Sequence, residues 1–198
     1  MATITQSPKS LTLLITALVL AWGAAVAFAA SAGWLILVPP RLVAVIVVAG
    51  VFVPTLAYFS MPSVKHWVER FGLRRLTLFH SWRIAAAFLF FSYGAAGLLP
   101  PRFVENAGWG DLIAGLLALL VVVLPMARWR YWGMHLFGMA DFVLAVGTGL
   151  YFTLSDPASM IQIRLLPLAL IPMYGVALSG ATHIIAFDLL RRGAGGAR

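Results

Sequence analysis

From Leu11 to Gly33 the chain reads LTLLITALVLAWGAAVAFAASAG, without one charged side chain. An α-helix needs about 20 apolar residues to cross a bilayer, and few other folds tolerate a run this long. Five similar runs follow. The six segments fall at roughly 10–32, 40–61, 76–98, 109–127, 130–153 and 160–188. Over the whole chain 62% of residues are hydrophobic and 10% are charged, whereas a soluble domain carries about a quarter charged. A soluble fold of 198 residues has too little interior to hide such an apolar surface. The runs are continuous rather than alternating, which excludes a β-barrel. The expected class is all-α: a polytopic transmembrane bundle of six helices forming a single domain over 1–198.

The first segment has a second reading. Lys9, an apolar run and then AVAFAASA resemble a signal peptide with a small-residue cleavage site. Its length favours a retained helix.

Basic residues set the expected orientation. With the N-terminus inside, Lys9, Lys65, Arg70, Arg74, Arg75, Arg128, Arg130, Arg191, Arg192 and Arg198 lie on the cytoplasmic side; Arg41, Arg102 and Arg164 lie outside. Ten against three places both termini in the cytoplasm. This asymmetry also accounts for the net charge of +8 without nucleic acid. The expected location is a bacterial cytoplasmic (inner) membrane.

Residues 63–75, SVKHWVERFGLRR, interleave basic residues with Trp67, Val68 and Phe71. They read as an interfacial helix whose partners are anionic lipid head groups. Residues 190–198 form a short basic tail. The connection LLPPRFVENAGWGD (98–111) reads as a structured outer loop, with Asp111 as a cap on the fourth helix.

Within this apolar frame a few polar groups stand out. On the fifth segment Gly138, Asp141, Ala145 and Thr148 share one helical face. On the third, His80, Arg83, Ala87 and Gly94 do the same; on the sixth, Pro172, Gly175, Ser179 and Ala186, bordered by Thr182 and His183. Small residues let helices approach closely in lipid, so these faces point at one another. At about 1.5 Å per residue, Arg83 and Asp141 differ in depth by roughly 6 Å, within reach of an arginine. Both are expected in the bundle interior, with His80, His135 and His183 around them as a binding or proton-relay site. Intramembrane ionisable groups mark functional sites by default, but a buried pair that only fixes helix register would look the same.

No nucleotide loop, zinc-protease or serine-hydrolase motif is present. There are no cysteines, which excludes disulfides and thiolate ligands. No cofactor and no metal ligand set is assigned, with haem a minor alternative.

The stretches HSWRIAAAFLFFSYGAAGLLPPRFVENAGWGD, HLFGMADFVLAVGTG and LPLALIPMYGVALSGATHIIAF resemble a family of small bacterial multi-pass membrane proteins, over roughly residues 76–187. The resemblance implies a polytopic membrane fold and carries no activity, so it transfers no functional residue.

Three functions compete. The first is a transporter or small-molecule-binding membrane protein, proton-linked through Asp141 and His183. The second is a structural or assembly subunit, as a homo-oligomer or within a larger membrane complex. The third is a redox protein holding haem or a metal through histidines on different helices.

Overall fold

The computed structural model describes residues 8–196. Arg198 of the expected cytoplasmic set lies outside them, as do residues 1–7 of the segment read as signal peptide or helix. The chain is all-α. Its elements are α1 (Pro8–Ser31), α2 (Trp34–Leu37), α3 (Pro40–Ser60), α4 (Pro62–Phe71), α5 (Leu73–Phe79), α6 (Arg83–Ala95), α7 (Pro101–Val123), α8 (Arg128–Ser155) and α9 (Ala177–Arg192). A 3-10 turn, His80–Trp82, joins α5 to α6; another covers Ile161–Arg164, and a π-helical stretch, Ile171–Val176, leads into α9.

Among the described residues, five helices are long and apolar enough to cross a membrane: α1, α3, α7, α8 and the π-helical stretch continued by α9. The third expected segment is instead a broken path, α5, 3-10 turn, α6. Neither α5, with seven residues, nor α6, with thirteen, is long enough alone.

Proline positions explain several boundaries. Pro40, Pro62 and Pro101 occupy the first helical position of α3, α4 and α7, where a missing N–H goes unnoticed and φ is already helical. For α7 this corrects the sequence expectation. The helix starts at Pro101 rather than near residue 109, so most of the expected outer loop is helical. Asp111 is then no N-cap but a buried residue in mid-helix. At the far end of α6, Gly97 has φ +69°; Gly97 N–H donates to Gly94 C=O and Leu98 N–H to Tyr93 C=O. This paired closure needs a left-handed residue, which glycine supplies without strain.

The helices α6, α7 and α8 pack side by side, while α3 lies along α9, the most buried of the long helices. A β-carbon on Gly50 of α3 would come within 2.6 Å of Ala177 Cβ on α9, so the helices approach closely where both residues are small. The helix α1 is peripheral; Trp22 meets Tyr174 of the π-helical stretch edge-on at 5.5 Å. Leucines, valines and phenylalanines on the outer faces of α1, α3, α7 and α8 are exposed.

The basic segment expected over 63–75 forms α4 and the first turn of α5. Val68 is buried, and Val64, Trp67 and Phe71 pack on a core that includes Tyr58, Leu73, Tyr131 and Leu189. A polar clamp closes the same end. Tyr58 Oη donates to Asp188 Oδ2 at 2.7 Å, and Arg192 donates to Asp188 Oδ2 (2.7 Å), Tyr58 Oη (2.8 Å) and Glu69 Oε1 (2.7 Å). One arginine thereby ties α9 to both α3 and α4.

Candidate functional site

The centre of the molecule is built on Arg83, the first residue of α6. In a 3-10 turn side chains three apart eclipse one another, so the His80–Trp82 turn aligns His80 and Arg83 on one interior line. Arg83 is 3% exposed; an arginine there requires partners. Its Nε donates to Asp111 Oδ1 on α7 at 2.5 Å, its Nη2 donates to Asp141 Oδ2 on α8, and its Nη1 donates to the Gly138 carbonyl at 3.4 Å. Both aspartates are buried. One guanidinium thus bridges two helices, and with both carboxylates ionised the trio carries one net negative charge.

Two glycines make this arrangement possible. A β-carbon on Gly110 of α7 would fall on the Asp141 carboxylate. A β-carbon on Gly138 of α8 would fall on the His183 ring and lie 3.5 Å from Arg83 Nη1. The second contact shows that His183 borders the ion trio.

His80, His135 and His183 are fully buried and lie together. His135 Nδ1 faces His183 Nδ1 at 2.9 Å. The His80 and His183 rings stack with centroids 4.0 Å apart, and His135 stands edge-on to both. One ring nitrogen from each of the three lies within 4.8 Å of the other two.

Two threonines decide which nitrogens carry protons. Thr77 Oγ1 lies 2.9 Å from the Leu73 carbonyl and 3.0 Å from His135 Nε2. A hydroxyl has one proton. Donated to the carbonyl, it leaves the oxygen to accept from His135 Nε2–H. Thr182 repeats the pattern: its hydroxyl lies 2.9 Å from the Leu178 carbonyl and 3.0 Å from that of Ser179, and its oxygen faces His80 Nε2 at 3.2 Å. His135 and His80, when neutral, therefore hold their protons on Nε2 and present bare Nδ1 lone pairs. His80 Nδ1 and His183 Nε2 are the buried side-chain polar atoms without a hydrogen-bond partner among the described residues.

An apolar cavity of about 120 Å³ adjoins the trio, between α3, α7 and α8. Val47, Phe90, Phe103 and Phe142 supply its walls; Arg83 and Asp111 supply a polar end. It has room for several waters or a small ligand, since one water needs about 10–15 Å³ on this measure. Asp141 instead borders a shallow cleft between α7 and α8, with Asn106, Trp109 and Phe137. The ion trio stands between the two openings.

All five residues singled out in the sequence, Arg83, Asp141, His80, His135 and His183, meet at this centre. Asp111, Thr77 and Thr182 complete it. Asp111 could have been found had Pro101 been taken as a helix start, because helical spacing then sets it on one face with Val104 and Gly108. Thr182 already stood beside His183 on the polar face of the sixth segment; Thr77 carries no distinguishing sequence signal.

No curated protein and no solved structure matches the chain. A family model described as a domain of unknown function (DUF8737) matches residues 39–191, the stretch from α3 nearly to the end of α9, which holds the ion trio, the histidines and the cavity. By that match, which covers more than half of its length, the chain belongs to the DUF8737 family.

Proposed function

We propose that the chain is a multi-pass protein of a bacterial cytoplasmic membrane that binds a small molecule in the α3–α7–α8 cavity and moves it in a proton-linked exchange at Asp111 and Asp141. The α5–α6 path serves as the third of six crossings, and both termini are cytoplasmic. The exposed leucines, valines and phenylalanines support a lipid-facing surface. The basic residues of α4, α5 and the start of α8 gather near the Tyr58–Arg192 clamp, where anionic head groups would meet Arg70, Arg74 and Arg75, all exposed.

The observation that carries the reading is the Arg83 trio set between the inner cavity and the α7–α8 cleft. A register-fixing ion pair needs one carboxylate per arginine. Here two share one guanidinium through different nitrogens, so either can be released to a ligand or a proton while the other stays paired. The cavity's aromatic walls and single polar end fit a small, mostly apolar molecule with one hydrogen-bonding group.

Thermal unfolding of the purified protein against a panel of such molecules is the test. A ligand at a hundred times its Kd stabilises by about 2.7 kcal/mol, a clear rise in Tm. That rise should shrink in Asp111→Asn. Proteoliposomes enclosing a pH indicator should turn alkaline inside on ligand addition, as protons leave in exchange for the ligand, and Asp141→Asn should abolish the signal. No stabilising molecule and no ligand-driven proton movement would defeat the reading.

A further inference from the structure

We propose that His80, His135 and His183 form a binding site for a single first-row transition-metal ion. The inference goes beyond the small-molecule reading and stands whether or not the cavity takes a ligand.

The geometry of the lone pairs carries it. Thr77 and Thr182, each with its own proton engaged by a helix carbonyl, accept from Nε2–H of His135 and His80. Both imidazoles are left with Nδ1 lone pairs in the interior. Metal-bound histidines usually have this arrangement, one nitrogen on the metal and the other donating to an oxygen that fixes the ring. Here that outer shell is in place on two of the three rings.

Hydrogen bonding alone does not satisfy the cluster. A proton on His183 Nδ1 can serve His135 Nδ1 at 2.9 Å. His80 Nδ1 is then still a buried acceptor without a donor, which natural structures rarely leave. An ion that accepts three lone pairs satisfies His80 Nδ1 and leaves His183 Nε2–H without an outer partner among the described residues. With metal–nitrogen bonds of about 2.0–2.1 Å, two nitrogens on one ion lie about 2.9–3.4 Å apart. The His135–His183 distance falls in that range, and one His80 ring nitrogen lies within 4.8 Å of the other two ligand atoms; binding of the ion would draw it in. Touching rings, with centroids 4.0 to 5.5 Å apart, favour one ion over a flat macrocycle between them.

Ligand type narrows the ion. Three imidazoles with no thiolate suit Zn²⁺, Co²⁺, Ni²⁺ or Cu²⁺ rather than Mg²⁺ or Ca²⁺.

Co²⁺ is the probe. Tag-free protein in detergent, stripped with a chelator, should bind one Co²⁺ with a visible d–d spectrum that Zn²⁺ bleaches. Thr77→Val and Thr182→Val keep every imidazole and should weaken Co²⁺ binding by about 10–100-fold, the usual effect of losing an outer partner. His135→Ala should abolish the spectrum. The proposal is overturned if the folded wild-type protein takes up neither Co²⁺ nor Zn²⁺ at one per chain. It is equally overturned if both threonine variants bind as wild type, or if the purified protein shows a Soret band.

Discussion

Asp111 Oδ1 lies 2.5 Å from Nε of Arg83, although the two residues are 28 positions apart and on different helices. Asp141, further along the chain, takes Nη2 of the same guanidinium. The arginine therefore holds α6, α7 and α8 through one planar group. Removing it leaves two buried carboxylates facing each other. Arg83→Gln should cost roughly 3–5 kcal/mol, the usual penalty for stranding a buried charge. The triple variant Arg83→Gln/Asp111→Asn/Asp141→Asn should be more stable than Arg83→Gln. Thermal unfolding in detergent measures both; strict additivity of the three changes would mean the groups do not interact.

A methyl group is enough to test the close approach at α8. Gly138→Ala puts a β-carbon into the His183 ring and should cost about 1–3 kcal/mol through overpacking. Gly147, on the same helix, has open space around its missing side chain. Gly147→Ala should be neutral or gain up to about 1 kcal/mol from helix propensity. Equal melting temperatures for the two variants would contradict the packing of α8 on α9.

The clamp at the opposite end of α9 makes a separate prediction. Arg192→Ala removes contacts to Glu69, Asp188 and Tyr58 together, so α4 should loosen while the ion trio stays intact. Hydrogen exchange across residues 62–71 should rise several-fold, with little change in α7. Tyr58→Phe, which removes only the hydroxyl, should cost about 1 kcal/mol.

Topology can be read directly. With six crossings, reporters fused in the connection after residue 99 should be periplasmic, and those fused after residue 126 cytoplasmic. If the broken α5–α6 path does not cross, the two fusions exchange sides.

The positions of the long helices were legible because lipid-length apolar runs need no tertiary information. The Arg83–Asp141 contact was legible for a related reason: charges in such runs have few places to go, and small residues marked the faces that meet. What escaped is local. The apolar period of residues 76–98 does not reveal that His80–Trp82 winds as a 3-10 turn, since one tight turn barely changes the pattern. Asp111 sits among Gly108, Trp109 and Gly110, and glycine-rich stretches read as turns until packing shows why they are small: Gly110 makes room for a carboxylate of α8. Asp188 sits among the last residues of α9 before two arginines and resembles ordinary surface polarity. Its partner Tyr58 is 130 residues away, a separation no local pattern reports.

The three-cornered ion contact turns α6, α7 and α8 into one plate, and the close packing of α3 on α9 makes a second. The side-chain hydrogen bonds joining the plates, His135 to His183, His80 to Thr182, Trp82 to Ser179 and Arg128 to the Leu190 carbonyl, are spread along α9 from its first turn to its last. The cavity lies between the plates, lined by Val43 and Val47 of α3 and by Phe142 and Val146 of α8, and the Trp82–Ser179 hydrogen bond stands on its wall. Separating the plates to widen the cavity would therefore stretch that bond: the seam between the plates and the mouth of the pocket share one latch.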